Sequence, residues 1–216
     1  MIKITTLENR PKKEFTQETE ARKLEKLREK FGHNKKLPRG YELQALVALS
    51  YYPELANVAI EFVFKETDLT LSAKPTPATV FFPAKSRKYQ VIISKKARSS
   101  KVPVMYKSLD FNMQVGVIGH ELGHIADYLQ KTSLTVIKDS LMYGISSFKR
   151  KMEKGTDKIA IKHGFAYQLL AYAKLVEKLK KEFPQEKYYA DYTKYYMSAA
   201  EIQAKIEKLK IYQDIS

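Results

Sequence analysis

The 216-residue sequence predicts an α+β chain, with a small, mostly antiparallel or mixed sheet in the first half and helices in the second. Three observations predict it. Apolar residues alternate with a period of two only between about residues 56 and 95, as in Val58, Ile60, Phe62 and Phe64. Near the middle, Val115, Val117, Ile118, Leu122, Ile125, Ala126 and Leu129 make one run apolar on nearly all sides, the mark of a helix buried in a domain. From Ser133 onward the apolar residues step by three or four, which is a helical period.

Residues 1–40 read as a basic N-terminal segment with a surface helix, and 41–216 as a single compact domain. Residues 1–16 are polar and expected to be loosely ordered. Thr16 can cap a helix that runs to Phe31 with Leu24, Leu27 and Phe31 as its apolar stripe, and Gly32 suits its end. His33 falls in the basic turn that follows and reads as solvated. A second helix, 41–52, stops at Pro53. A strand is expected at 56–65. A link rich in proline, 74–77, leads to a strand at 78–82, which reads as a hairpin with 89–95 across a basic turn. A Ser-rich loop at 98–101 and an extended stretch at 102–106 precede the buried helix, which starts near Asp110.

Leu134, Ile137, Leu141, Ile145, Phe148 and Met152 predict one long helix that continues to about His163 and stops at Gly164. Another helix spans 165–182 and ends before Pro184. A tyrosine-rich segment, 188–196, leads to a closing helix opened by the capping box Ser198-Ala199-Ala200-Glu201.

Forty-four per cent hydrophobic residues, with twelve per cent aromatic, is globular composition. The absence of cysteine excludes disulfides and thiolate metal ligands. No apolar run reaches the ~18 residues of a membrane span, and the first ten residues lack a signal-peptide core, so a cytoplasmic protein is expected. The net charge of +15 points to a polyanion partner, nucleic acid or a membrane surface, but only weakly, because lysine and arginine are scattered among glutamate.

The buried helix carries His120-Glu121-Leu122-Gly123-His124. Histidines four apart lie on one helix face, so both imidazoles can reach one zinc ion. Glu121 follows the first directly, where it can act as general base towards a metal-activated water. Burying such a cluster costs several kcal/mol unless it is paired or metal-bound. A hydrolytic zinc takes a third protein ligand. Positions 127 and 130 are Asp and Gln, which excludes the metzincin pattern. Glu153 and Asp157, four apart on the next predicted helix, are better placed: Glu153 can bind the metal while Asp157 holds the far nitrogen of a ligand histidine.

With this pair of motifs the chain resembles the gluzincin metallopeptidases. The resemblance implies a zincin-like fold, Zn2+ held by His120, His124 and Glu153, Glu121 as base, Asp157 behind the ligands, and hydrolysis of a peptide or protein substrate. Two other third ligands stay open: Asp157 itself, as in aspzincins, although Gly155-Thr156-Asp157 is one residue short of their motif, and His163, as in SprT-like DNA-associated proteases, which the basic charge would suit. A regulatory or binding protein that keeps a zincin fold without general peptidase activity is the rival class. Tyr192, Tyr195 and Tyr196 are candidate oxyanion donors by side-chain chemistry. In zincins an edge strand binds extended substrate, and by resemblance 89–95 or 78–82 would supply it.

Overall fold

The computed structural model describes residues 10–97, 104–213 and 215. Among these it is an α+β fold of one four-stranded mixed sheet and nine α-helices, with no strand after Lys96. Of the loosely ordered start expected at residues 1–16, 1–9 lie outside the described residues, and the rest is tied down, with Phe15 buried and its amide donating to Asn112 Oδ1. Of the loop and extended stretch expected over 98–106, 98–103 lie outside the described residues, and Tyr106 opens a short 3-10 turn, Tyr106–Ser108.

Thr16 caps α1 (Gln17–Ala21), accepting from the Thr19 amide. The helix expected to reach Phe31 breaks at Arg22-Lys23 and resumes as α2 (Leu24–Phe31). The break leaves Glu20 buried between Lys12 and Lys23, both of which pair with it. Phe15 and Phe31 join the main core, so this segment is packed on the rest through α3 (Glu42–Leu49).

The strands are β1 (Lys35–Lys36), β2 (Ala59–Glu66), β3 (Leu71–Pro75) and β4 (Lys88–Lys96), in the order β1-β2-β4-β3. β1 and β4 run parallel to β2, and β3 runs antiparallel to β4. The strand expected at 78–82 does not form. Pro77 opens a short 3-10 turn, Pro77–Thr79, and Phe81 and Phe82 project into solvent. The partner of β4 is β3 instead, which tolerates Pro75 because an edge strand can end on a residue with no amide to donate. β4 is paired on both sides by β2 and β3 and 78–82 forms no strand, so neither stretch named for substrate pairing has a free edge; among the described residues β3 has one.

The helix α4 (Phe111–Leu129) is capped by Asp110, whose carboxylate accepts from the Met113 amide at 2.7 Å. Every residue from Gln114 to Ala126 is buried. α4 packs on β3, on α3 and on two later helices, α6 (Ser146–Lys162) and α7 (Ala166–Glu182). Small residues permit this. A Cβ on Gly116 would stand 2.4 Å from the Cβ of Gln168 on α7, and one on Gly123 would stand 3.2 Å from the Thr156 methyl on α6. The far end of α4 is held by Arg87, almost fully buried, whose guanidinium donates to the carbonyls of Tyr128, Lys131 and Phe82. A cation there also complements the helix dipole.

The long helix expected from Ser133 to His163 is two helices, α5 (Ser133–Met142) and α6, separated at Gly144. The apolar stripe that predicts it is split: Leu134 and Leu141 are 78% and 79% exposed, whereas Met152 packs against the core. α6 instead buries Glu153, Thr156, Asp157, Ala160 and Ile161, and ends at Gly164 with φ +96°. The tyrosine-rich segment forms α8 (Lys187–Tyr195), and the capping box opens α9 (Ala199–Lys208) as expected. No helix among the described residues is long and apolar enough to cross a membrane.

Two glycine substitutions should behave oppositely. Gly116→Ala drives a methyl into Gln168 and should cost about 1–3 kcal/mol. Gly155→Ala meets nothing within 4 Å on α6 and should gain up to ~1 kcal/mol from helix propensity. Urea midpoints at constant slope measure both.

Candidate metal centre

On α4, His120 and His124 project from one face, their rings 4.9 Å apart and nearly perpendicular. α6 crosses that face and brings Glu153 between them. Glu153 Oε2 lies 3.3 Å from His120 Nε2 and 3.3 Å from His124 Nε2. The three ligand atoms lie within 4.8 Å of one another, and all three residues are buried. Two imidazole nitrogens and a carboxylate oxygen converging on one point are a donor set that fits a metal ion.

The remaining atoms of these side chains are fixed from behind. His120 Nδ1 is 2.9 Å from Asp157 Oδ1, while Asp157 Oδ2 accepts from the Met197 amide at 2.8 Å. His124 Nδ1 is 3.1 Å from the Thr156 hydroxyl. The Tyr143 hydroxyl donates a short hydrogen bond to Glu153 Oε1. Each Nδ1 thus has a partner, which directs both Nε2 atoms at Glu153. Tyr143 and Thr156 are not marked by the sequence reading. Thr156 was the more accessible, since it sits three residues after Glu153 on the same helix face; Tyr143 depends on the break at Gly144.

His163 is not part of this group. It ends α6, stacks on Tyr52 with centroids 4.1 Å apart, and bonds Glu54 at 3.0 Å through Nε2 and the Ile159 carbonyl through Nδ1. His33 is exposed in its turn. Of the three tyrosines, Tyr196 is the one at the centre, with its ring 5.5 Å from that of His120. Tyr192 stacks behind it at 4.6 Å, and Tyr195 packs under Lys149 at the rim.

Burial opposes charge on every group here, and the balance differs among them. For His120, hydrogen bonds to Asp157 and Glu153 outweigh desolvation and push its pKa well above the usual histidine range. Desolvation would raise Glu153 as well, yet the two imidazoles hold it well below the usual carboxylate range. Burial raises Glu121, only partly countered by the imidazoles and by the Ala73 amide on β3. The cluster is a negative pocket built to hold positive charge, as a proton or as a metal cation.

Glu121 faces a cleft made of two cavities of about 220 Å³ each, both lined by Leu69, Leu71, Glu121 and Tyr196. One opens beside His120 and is walled by tyrosines, among them Tyr172 and Tyr188. The other opens beside His124 and Glu153 and runs along Ser72, Ala73 and Lys74 of β3. Oε2 of Glu121 is buried and has no hydrogen-bond partner among the described residues, which leaves an unsatisfied polar group on a residue that lines the cleft.

Removing either a ligand or its support should be measurable as metal affinity. His120→Ala and Glu153→Ala should lose the metal after dialysis, and His163→Ala should keep it. Asp157→Asn should weaken binding by about 10- to 100-fold in a chelator competition; wild-type affinity in that variant would show that the Asp157–His120 bond plays no part in ligation.

No family model, curated protein or solved structure matches this chain, so the chemistry of the site rests on the residues just described.

Proposed function

We propose that the chain is a zinc-dependent metallopeptidase with a zincin-like fold of the gluzincin type, in which His120, His124 and Glu153 hold the metal and Glu121 is the general base. The observation that carries this reading is the convergence of His120 Nε2, His124 Nε2 and Glu153 Oε2 beside a buried carboxylate that faces a cleft. The spacing supports zinc: a tetrahedron with bonds of ~2.0–2.1 Å has edges of roughly 3.3–3.4 Å, and the carboxylate stands 3.3 Å from each imidazole.

Zinc in this position supplies Lewis acidity towards a carbonyl and makes water a stronger acid. The chain supplies the rest. Glu121, one residue after the first ligand and raised by burial, accepts a proton at its unpartnered Oε2 and can return it to the leaving amine. Tyr196 stands over His120 with its phenol pushed well above 10 by burial, and so remains a neutral donor for a developing oxyanion. The free edge of β3 can pair an extended peptide along the cleft, with the backbone of Ser72 and Ala73 beside Glu121. Asp157 and Tyr143 keep His120 and Glu153 in register throughout.

Mixed peptide substrates and mass spectrometry test the reading. Metal-loaded wild type should cleave them, and Glu121→Gln should retain the metal while losing between about a hundredfold and ten-thousandfold in turnover. Metal-loaded wild type that is inert towards diverse peptides would favour the rival reading of a regulatory or binding protein on the same fold.

A further inference from the structure

Part of the apolar stripe that marks α5 in the sequence is on the outside. Leu134 and Leu141, two turns apart on α5, share a face and are 78% and 79% exposed; Ile145 follows at 48%. Phe81 and Phe82, 72% and 49% exposed, adjoin the start of that helix, because the Arg87 guanidinium bonds both the Phe82 carbonyl and the Ser133 hydroxyl. Leu134 and Leu141 project from the surface, and Phe81 and Phe82 border a shallow, open depression with Arg87, Leu129 and Lys131. The charge around them is predominantly positive. Residues 77–88 contain Lys85, Arg87 and Lys88 and no acid. Residues 129–152 contain Lys131, Lys138, Lys149, Arg150 and Lys151; the acids beside them, Asp139 and the preceding Asp127, are both bound to Lys131.

We propose that this face docks on an anionic lipid surface, with Phe81, Phe82, Leu134 and Leu141 entering the interface and Lys85, Lys88 and Lys138 meeting the headgroups. Charge complementarity selects this occupant. A second copy of the chain would bring the same +15 and be repelled. Projecting Phe and Leu ringed by lysine match an interface that yields around them, the arrangement by which peripheral proteins bind membranes. The inference is independent of the metal centre, because no residue named in it is a ligand.

The test is sedimentation of the full chain with vesicles of phosphatidylcholine alone, or with about one third phosphatidylserine. Wild type should bind the second and not the first. Phe81→Ser with Phe82→Ser, and Leu134→Ser with Leu141→Ser, leave the net charge unchanged and should each weaken binding by roughly tenfold or more. Lys85→Glu with Lys138→Glu should weaken it by at least about fivefold for each lysine. All these positions are exposed, and circular dichroism checks that the variants fold. The chain has no tryptophan, so Phe82→Trp adds a sole reporter whose emission should shift to the blue on the same vesicles. Serine variants that bind like wild type would reduce the effect to bulk charge and overturn the proposal. So would a wild type that ignores anionic vesicles, whether it dimerises or binds an acidic protein instead.

Discussion

The crossing of α4 over α6 at Gly123 and Thr156 is the contact on which the rest of the site depends. A glycine on one helix and a threonine on the other let the two backbones approach closely, and the same threonine spends its hydroxyl on His124 Nδ1 at 3.1 Å. The steric and polar roles fall on one side chain. A Cβ at 123 would already press on the Thr156 methyl at 3.2 Å, and a longer side chain would have to displace α6, the helix that carries Glu153. Because the cluster is buried, a separated Glu153 would be an uncompensated charge rather than merely a longer bond, and such charges cost several kcal/mol. The packing and the electrostatics are therefore one constraint.

That constraint explains the composition of the buried layer. Glu121, Glu153 and Asp157 bring three carboxylates against two imidazoles in a space shielded from water. The inventory is short of positive charge, and each group answers in its own way. Glu153 remains ionised between two imidazoles, His120 attracts positive charge from both acids, and Glu121 is driven towards its neutral form. A divalent cation resolves the shortage with both histidines neutral. A core evolved only for stability has simpler ways to be filled, since apolar residues of equal volume are often no less stable than buried ion pairs.

How much of this could be read beforehand follows from range. The period of two in Ile60 and Phe62, and the apolar run of α4, are local and strong, and β2, β4 and α4 lie close to where they were expected. The pairs 120/124 and 153/157 are legible for the same reason, each being one turn of a helix. What one helix presents to another is not local. β3 reads Leu-Ser-Ala-Lys-Pro, too short and polar to announce a strand, and becomes one by adding to the edge of β4. The stripe Leu134, Leu141 has the right period but gives no sign of which way it turns, because periodicity defines a face and burial decides its direction. Thr156 and Tyr143 reach their partners only once the helices cross.

The break at Gly144 joins two of these features. Had α5 continued into α6 as one rod, the face of Leu134 and Leu141 would have been carried on in line with residues of α6 at the same spacing, and the buried polar face of Glu153, Thr156 and Asp157 would have had to share that direction. The turn through Gly144 uncouples them. It frees α6 to aim its polar face at α4, leaves the apolar side of α5 outside, and sets Tyr143, the residue that caps the end of α5, with its hydroxyl on Glu153. The turn at 143–145 thus lets an outward apolar surface and an inward charged cluster be built from consecutive helices, with the Tyr143 hydroxyl linking the end of the first to the centre of the second.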